Sequence, residues 1–258
     1  MVTRYEKPPI HEVVIGIYFS HPIIALRSEH IGLFWSSIED DFPTVRQSDV
    51  LGPEVFVDPE ASPMPRYWFT SKDETHLIQV QKTAFLFNWR RRGGDYPHFE
   101  SVKAEFDKLY GKFVEFLKLR LKIEEPQIHT CELSYFNVIE KSEYWSTVDD
   151  TTKIIPSFSI LKPCLPNVTP YEFDYTSVVN VESDLHLKIN LKKRVTSDEN
   201  EDPVLILELR TTGILGEKSS KVTADLWFSR AHDTIIDSFN GITDTKVQKE
   251  LWKREDEQ

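Results

Sequence analysis

The stretch THLIQVQKTAFLFNWRRRGGDYPHFESVKAEFDKLYG, residues 75–111, decides the fold of this chain. Its first part predicts two short strands, 75–81 and 83–90, because β-branched and aromatic residues alternate with polar ones there. A Gly-Gly turn and a long amphipathic helix follow. A hairpin that leads directly into such a helix predicts that the helix packs on one face of the sheet.

Side-chain alternation in the second strand separates two faces. One face holds Phe85, Phe87 and Trp89, and the other holds Leu86, Asn88 and Arg90. The helix is predicted to begin after Asp95 as its N-cap, with Pro97 in the first turn, and to end near Lys122. Its apolar stripe consists of Phe99, Val102, Phe106, Leu109, Phe113, Phe116 and Leu117. This stripe is expected to face the core, and the helix is long enough to cover one face of a sheet.

Strand and helix patterns extend outward from this stretch in both directions. On the N-terminal side the predicted elements are a strand 10–19, a helix from Ser28 that Pro43 closes, a loop 44–65 and a strand 66–70. On the C-terminal side they are a strand 128–139, a short helical piece within 145–155, a proline-rich link 156–170, and strands 171–181, 184–194 and 203–212. A final helix from about Ala224, with Leu226, Ala231, Ile235 and Phe239 on its apolar side, breaks at Asn240-Gly241 before a short polar helix.

Both halves of the chain therefore show the same order of elements: strand, helix, three strands, helix. We interpret this order as a degenerate tandem repeat of a β-α-β-β-β-α unit, with units 1–126 and 127–258; the alternative is a chance match of short patterns. A doubly wound parallel sheet is excluded because it needs a helix between most strands. The predicted fold class is α+β, with mainly antiparallel sheets and helices on one side.

The two units are predicted to pack as one body. The segment that joins them, 141–170, carries large apolar residues such as Trp145 and Phe158, which a flexible tether lacks. Limited proteolysis that released two separately stable halves would contradict this prediction. The predicted core residues are Ile15, Ile17, Phe34, Phe87, Phe106, Phe113, Leu187, Ile206, Ile235 and Phe239.

Composition and charge exclude several classes of protein. A hydrophobic content of 40% indicates a folded chain, and a net charge of −11 disfavours general nucleic-acid binding because polyanions bind basic surfaces. The opening MVTRYEKPPIHE has charges and prolines where a signal peptide needs an apolar run, and no window of about 18 apolar residues predicts a membrane span. Cys131 and Cys164 fit a reducing compartment. We expect a cytoplasmic protein without a membrane partner; the oligomeric state stays open.

Catalytic and metal-binding motifs are not found in the sequence. The histidines are dispersed, and His232-Asp233 on the last helix is a pair whose members point in different directions. Gly-x-Ser-x-Gly and P-loop patterns do not occur. Cys131 alternates into a strand and is expected to be a small core residue. The sequence thus predicts no catalytic residue, no metal site and no cofactor.

The candidate binding residues fall into two groups. Trp89, Arg90, Arg91, Arg92 and Tyr96 lie at a strand end beside Gly93-Gly94, where guanidinium groups can bind phosphate or an acidic partner. The alternative is that these arginines stack on the aromatic residues and pair with acids of the same chain. With acids in excess, the partner is expected to be another protein rather than nucleic acid.

The second group consists of polar residues inside the predicted hairpin, Gln79, Gln81 and Asn88. Buried amides need hydrogen-bond partners. They therefore form a structural network or line a ligand-binding cleft, and the sequence leaves both alternatives open.

Several segments resemble an uncharacterised, sporadically distributed bacterial protein family of about this length. They are PPIHEVVIGIYF, HIGLFWSSIEDDFP, PRYWF, LIQVQKTAFLFNWRR, YPHF, YFNVI, AHDTIIDSFNGITD and the segment around Trp252. The Q-x-Q…F-x-F-N-W-R…Y-P run is the most specific of them. The resemblance implies no chemistry, and its patchy distribution implies an association with defence loci such as CRISPR or toxin–antitoxin systems.

We therefore expect a non-enzymatic protein, an accessory or regulatory subunit that binds another protein. One alternative is a small-molecule-binding module with a cleft between two α+β units. A nucleic-acid-binding protein is the second alternative.

Overall fold

A computed structural model of the chain describes residues 3–51, 64–159, 172–194, 202–216 and 221–255. Within these ranges nine strands form one antiparallel sheet, two short strands form a separate pair, and five α-helices are present. The predicted α+β class with a mainly antiparallel sheet is confirmed.

The elements have the following bounds. The strands are β1 Arg4–Tyr5, β2 Ile10–Phe19, β3 Thr44–Ser48, β4 Arg66–Thr70, β5 His76–Gln81, β6 Ala84–Arg90, β7 Ile128–Ile139, β8 Phe173–Glu182, β9 Leu185–Arg194, β10 Val204–Ile214 and β11 Arg254–Glu255. The α-helices are α1 Ser28–Trp35, α2 Phe99–Phe116, α3 Thr151–Ile154, α4 Lys221–Ile242 and α5 Thr245–Glu250. A π-helical turn, Leu117–Leu121, continues α2.

The strand order of the sheet is β3-β4-β5-β6-β2-β7-β10-β9-β8, and β1 pairs with β11 apart from it. On either side of the central strands β2 and β7 the order is the same: β6, β5, β4 in one direction and β10, β9, β8 in the other. A tandem repeat whose first strands lie side by side produces this arrangement. β3 is an additional edge strand in the first half.

The chain divides into two compact units, each of which draws on both halves of the sequence. The unit that we call the α2 unit comprises Glu12–Leu133 and Thr212–Phe228. The unit that we call the β8 unit comprises Met1–His11, Ser134–Thr211 and Ser229–Gln258. The predicted division at residue 126 and the packing of the chain as one body stay predictions.

Aromatic side chains form the core of the α2 unit. The ring of Phe85 on β6 lies 5.3 Å from that of Phe113 and 6.1 Å from that of Phe106, both on α2. Phe34 of α1 contacts the same Phe113 at 5.4 Å, and Phe228 of α4 contacts Phe106 at 5.9 Å. The predicted apolar stripe of the helix and the aromatic face of the hairpin are thereby confirmed. Cys131 is fully buried, as expected for a small core residue.

The β8 unit has a separate set of core contacts. Phe239 of α4 lies 5.7 Å from Tyr5 of β1 and 5.0 Å from Trp252, which precedes β11. Leu187 of β9 and Ile235 of α4 are also buried, as the sequence predicts. Short helical segments, Val148–Asp150 and α3, confirm the helical piece predicted within 145–155.

Two predicted loop and helix bounds are wrong. Residues 44–48 of the predicted loop 44–65 form β3, whose side chains are nearly all exposed, so the strand lacks the alternation of a half-buried strand. The helix does not begin after Asp95 but at Phe99. His98 before it has a φ of 66°, and this left-handed conformation cannot extend a right-handed helix. The end of the helical backbone at Lys122, with a φ of 58°, agrees with the prediction.

Two apolar residues and one helix break were also wrongly predicted. Ile206 is only half-buried, whereas its neighbours Leu205 and Leu207 are fully buried. Leu226 of α4 is 67% exposed, because Trp227 and Phe228 take the buried positions of that turn. α4 continues through Asn240-Gly241 to Ile242. The Asn240 side chain is held there by Tyr5, whose hydroxyl donates a hydrogen bond to its Oδ1. Cys164 and residues 160–170 of the predicted link 156–170 lie outside the described residues.

Candidate functional site

The predicted amides Gln79 and Asn88 lie on the face of the sheet opposite to Phe85 and Phe87. The Gln79 Nε2 donates a hydrogen bond of 2.6 Å to the Asn88 Oδ1, and the Asn88 Nδ2 donates one of 2.6 Å to the Glu12 Oε1. Gln79 is only 5% exposed, and Asn88 is equally buried. A hydrogen-bonded chain of three side chains therefore crosses strands β5, β6 and β2.

Gln81, the third predicted amide, has a structural role. Its Nε2 donates to the Leu51 carbonyl at 3.0 Å and to the Thr83 Oγ1 at 2.6 Å, and its Oε1 accepts from the Leu51 backbone N–H at 2.9 Å. These bonds hold the chain at Leu51 against β5. Gln81 thus pairs with both backbone polar groups of Leu51.

Two arginines influence the electrostatics of Glu12 on this face. Burial raises the pKa of the Glu12 carboxyl, while the hydrogen bond from Asn88 and the positive charges of Arg90 and Arg92 lower it. Burial lowers the pKa of Arg90, and the nearby Arg92 lowers it further. Glu12 and Arg90 are paired residues on β2 and β6, so their side chains share one face.

The predicted binding residues Trp89 and Tyr96 contact each other. Trp89 is 3% exposed and pairs with Val13 and His76 on the aromatic face. Its ring centroid lies 5.4 Å from that of Tyr96, in an edge-on arrangement. Trp89 therefore contributes to the core of the α2 unit rather than to its surface.

The three arginines that follow Trp89 diverge. Arg90 ends β6 and is half-buried, and Arg92 is exposed with its Nε 3.5 Å from the Glu74 Oε2. Both act on Glu12, as expected if Arg90 and Arg92 lie on one side. Strand alternation would direct Arg91 to the other side. A single flat surface of three guanidinium groups is therefore not expected.

Sequence reasoning missed two residues on the same face, Arg66 and Trp68 of β4. Trp68 is the cross-strand partner of Gln79, and the Arg66 guanidinium lies 5.3 Å from the Trp68 ring centroid. In the sequence RYWFT, Arg66 and Trp68 alternate with Tyr67 and Phe69, which are buried. This alternation was the signal that separates Arg66 and Trp68 from the core.

Strand β8 is an edge of the sheet with unusual exposure. β8 is the last strand of the nine-stranded sheet, and among the described strands only β9 lies beside it. Four of its side chains are large, apolar and exposed: Tyr175, Val178, Val179 and Val181. Val178 is the most exposed of them, at 64%. An edge of this kind offers unpaired backbone groups together with apolar side chains.

A groove of ≈ 300 Å³ lies beside β8 in the same unit. Its lining residues are Ile155, Ser157, Phe158, Ser159, Tyr175, Ser177, Ile189, Leu191 and Ile242. Phe158 contacts Tyr175, with ring centroids 6.1 Å apart. The groove lining combines apolar side chains with serine hydroxyls.

The described residues contain no group of three or more histidine, cysteine, aspartate or glutamate side chains placed to hold a metal ion. Burial raises the pKa of the Cys131 thiol, so this cysteine is a poor nucleophile. None of the helices in the described part of the chain has the length and apolarity needed to cross a membrane.

Comparisons with known proteins identify no relative. No family model matches the chain, and no curated protein matches it. Among solved structures, the di-domain ARO/CYC StfQ from the steffimycin biosynthetic pathway is similar over 90% of this chain and 96% of that chain, at 10% identity and a TM-score of 0.16. This similarity is too weak to show a shared fold or function.

Proposed function

We propose that this chain is a non-enzymatic protein-binding protein that takes up an extended segment of a partner along β8. The observation that carries the proposal is the ten-residue edge strand with its four exposed apolar side chains. Proteins that avoid edge pairing protect such strands with lysine or proline. The β8 sequence, FDYTSVVNVE, contains neither residue.

The groove supports recognition of side chains on the incoming segment. In strand addition, main-chain hydrogen bonds supply affinity and pockets for alternate side chains supply specificity. Tyr175 and Ser177 belong to both β8 and the groove lining. A partner strand beside β8 would therefore place an aliphatic or aromatic side chain at every second position toward the groove.

The charges of β8 indicate the chemistry of the partner. Asp174 and Glu182 stand near the two ends of the strand; Glu182 also forms an ion pair with Arg230, and Asp174 accepts a hydrogen bond from Asn190. A second copy of the chain, paired antiparallel about Val178, would place Asp174 opposite Glu182, and like charges directly opposite are destabilising. The partner is therefore a different protein, with lysine or arginine flanking its apolar segment.

Selection from a displayed library of random decapeptides tests this function. We expect the wild-type chain to enrich peptides with alternating apolar residues and basic ends. The Val178→Lys variant should bind the selected peptide at least about tenfold more weakly, or about 1.4 kcal/mol, because the added charge opposes those basic ends. Its Tm should be unchanged, since Val178 is exposed.

Val222→Lys on α4 is the matched control, because Val222 is also highly exposed but belongs to the α2 unit, whereas β8 belongs to the β8 unit. It should bind the selected peptide like the wild type. Peptides without alternation, or equal weakening by both substitutions, would contradict docking at β8. Self-association that Val178→Lys abolishes would assign the edge to a second copy instead.

An accessory or regulatory role in a bacterial defence system belongs to the same proposal and rests on the sequence resemblance. Identification of the neighbouring genes tests it. Defence genes beside this one support the role, and an unrelated metabolic operon would remove its basis.

A further inference from the structure

Five polar atoms on the face of the sheet that carries Gln79 are buried without a hydrogen-bond partner. They are the Arg66 Nε, the Trp68 Nε1, the Gln79 Oε1, and the Nε and Nη2 of Arg90. Four of the atoms are donors and one is an acceptor. Buried polar groups in folded proteins are nearly always paired with the protein, with water or with a ligand, so a cluster of atoms without a protein partner on one surface is a candidate binding site.

Gln79 and Trp68 form one end of this cluster. The Gln79 Nε2 donates its hydrogen bond to Asn88. The Gln79 Oε1 has no hydrogen-bond partner in the protein, although only 5% of the residue is exposed. Trp68 is directly opposite on β4, and paired residues have Cβ atoms about 5 Å apart. An acceptor and a donor side by side match the edge of an amide, which presents an N–H next to a carbonyl oxygen.

Arg90 forms the other end. Its Nε and Nη2 are the two nitrogens that point in the same direction from the guanidinium, and they match two oxygens of a carboxylate or phosphate. Both are unpartnered here. Arg92 and Arg46 add positive charge close to Arg90, while Glu12 and Glu74 add negative charge. The Glu12 Oε1 accepts from Asn88.

The separation of the two ends sets the size of the ligand. Leu86, the cross-strand partner of Gln79, lies four residues before Arg90 on β6, which corresponds to roughly 13 Å along the strand. The long Arg90 side chain shortens this distance. A bare ion therefore cannot meet both ends, whereas a small organic molecule can. Trp68 and Arg90 are each part-exposed, so both ends of the cluster adjoin solvent.

We propose that this face of the α2 unit binds a small organic anion. Its carboxylate or phosphate lies on the Nε–Nη2 side of Arg90, and its amide-type edge donates to the Gln79 Oε1 and accepts from the Trp68 Nε1. The site is separate from β8 and does not depend on the proposed partner strand. Glu12, Glu74 and the net charge of −11 favour a small ligand over a nucleic-acid chain.

Isothermal titration calorimetry at fixed ionic strength tests the site with two anions, uridine monophosphate and acetyl-glycyl-glycine. Uridine and acetyl-glycyl-glycine amide are their uncharged counterparts. We expect at least one anion to bind, and its uncharged counterpart to bind at least about tenfold more weakly. Binding of uridine monophosphate alone assigns a nucleotide, binding of the peptide acid alone assigns a peptide-like carboxylate, and binding of both assigns the shared chemistry.

Variants at each end of the site test the contribution of that end to binding. Arg90→Lys keeps the charge but loses the two-pronged geometry, and Gln79→Leu removes the acceptor; each should weaken binding of the anion at least about tenfold. Arg27→Lys is the control, because Arg27 is exposed in the same unit and should leave binding unchanged. Arg90→Met should bind no anion, and its Tm should fall only modestly, because it loses the positive charge that stabilises the ionised Glu12.

The proposal is overturned if neither anion binds the wild type, or if the uncharged counterparts bind equally well. It is also overturned if Arg90→Lys and Arg90→Met bind the anion as the wild type does.

Discussion

Replacing Phe106 by alanine is expected to lower the free energy of unfolding by about 3–5 kcal/mol. The Phe106 side chain is fully buried and its ring centroid lies 6.0 Å from that of Tyr110 and 5.9 Å from that of Phe228. The Lys103 ammonium also lies 5.8 Å from the ring centroid. Truncation therefore removes contacts on several sides and leaves a cavity that rigid neighbours cannot fill. Urea denaturation followed by fluorescence measures the loss.

Leu226→Ala is the matched control for this measurement. Leu226 lies on α4, the helix that carries Phe228, but is highly exposed, so its truncation should change the stability by less than about 0.5 kcal/mol. An unchanged denaturation midpoint in Phe106→Ala would show that α2 does not cover the aromatic face of the sheet. A large loss in Leu226→Ala would show that α4 is rotated.

Replacing Asn88 by leucine is expected to lower the free energy of unfolding by about 2–4 kcal/mol at neutral pH. The substitution keeps the approximate volume but removes the acceptor of the Gln79 amide and the donor to Glu12. Both groups are then buried with fewer partners, and this cost exceeds the gain from a larger apolar side chain. Asn180→Leu on exposed β8 is the control, with an expected change of less than about 0.5 kcal/mol.

The loss in Asn88→Leu should also depend on pH. Burial raises the pKa of Glu12 and the hydrogen bond from Asn88 lowers it, so the substitution raises the folded-state pKa further. A carboxyl whose folded pKa lies above its unfolded pKa stabilises the fold below the unfolded pKa, and this contribution disappears as the pH rises through the folded pKa. Asn88→Leu should thus be more destabilising at pH 8 than at pH 4. Equal losses at both values would contradict the coupling to Glu12.

Local patterns predicted the parts of the fold whose burial alternates strictly. The segment AFLFNWR places Phe85 and Phe87 against α2 and Asn88 on the other face, as its alternation indicates. The long helix was correct in its stripe and its end because apolar residues recur every three or four positions. These patterns lie within single strands and helices, so they can be recognised without knowing which elements pack against them.

Tertiary context decided what the sequence could not show. Thr44–Ser48 form a strand only because β4 lies beside it, and a polar edge strand carries no alternation. Ile206 was assigned to the core by its residue type, yet it shares a strand face with Glu208 rather than with Leu205. His98 precedes α2 with a φ of 66°, a conformation that histidine adopts more often than most residues but that residue type alone does not predict.

The candidate sites were likewise predictable from the sequence only in part. Gln79 and Asn88 are recognisable in sequence as polar residues within a buried hairpin, but their bond to Glu12 joins residues 76 positions apart. Arg66 and Trp68 enter the site through the β4–β5 register. The exposure of β8 depends on the strand order of the whole sheet, which residue periodicity does not specify.

Amide hydrogen exchange of β8 tests the central claim, that this edge takes up a partner strand. In an edge strand every second backbone N–H points outward, away from the neighbouring strand. With the library-selected decapeptide bound, we predict that alternate amides of Phe173–Glu182 exchange at least about tenfold more slowly than in the free protein, while those of the opposite edge strand β3 do not change. Unchanged exchange throughout β8 in the peptide-saturated protein, or protection confined to β3, would contradict the account.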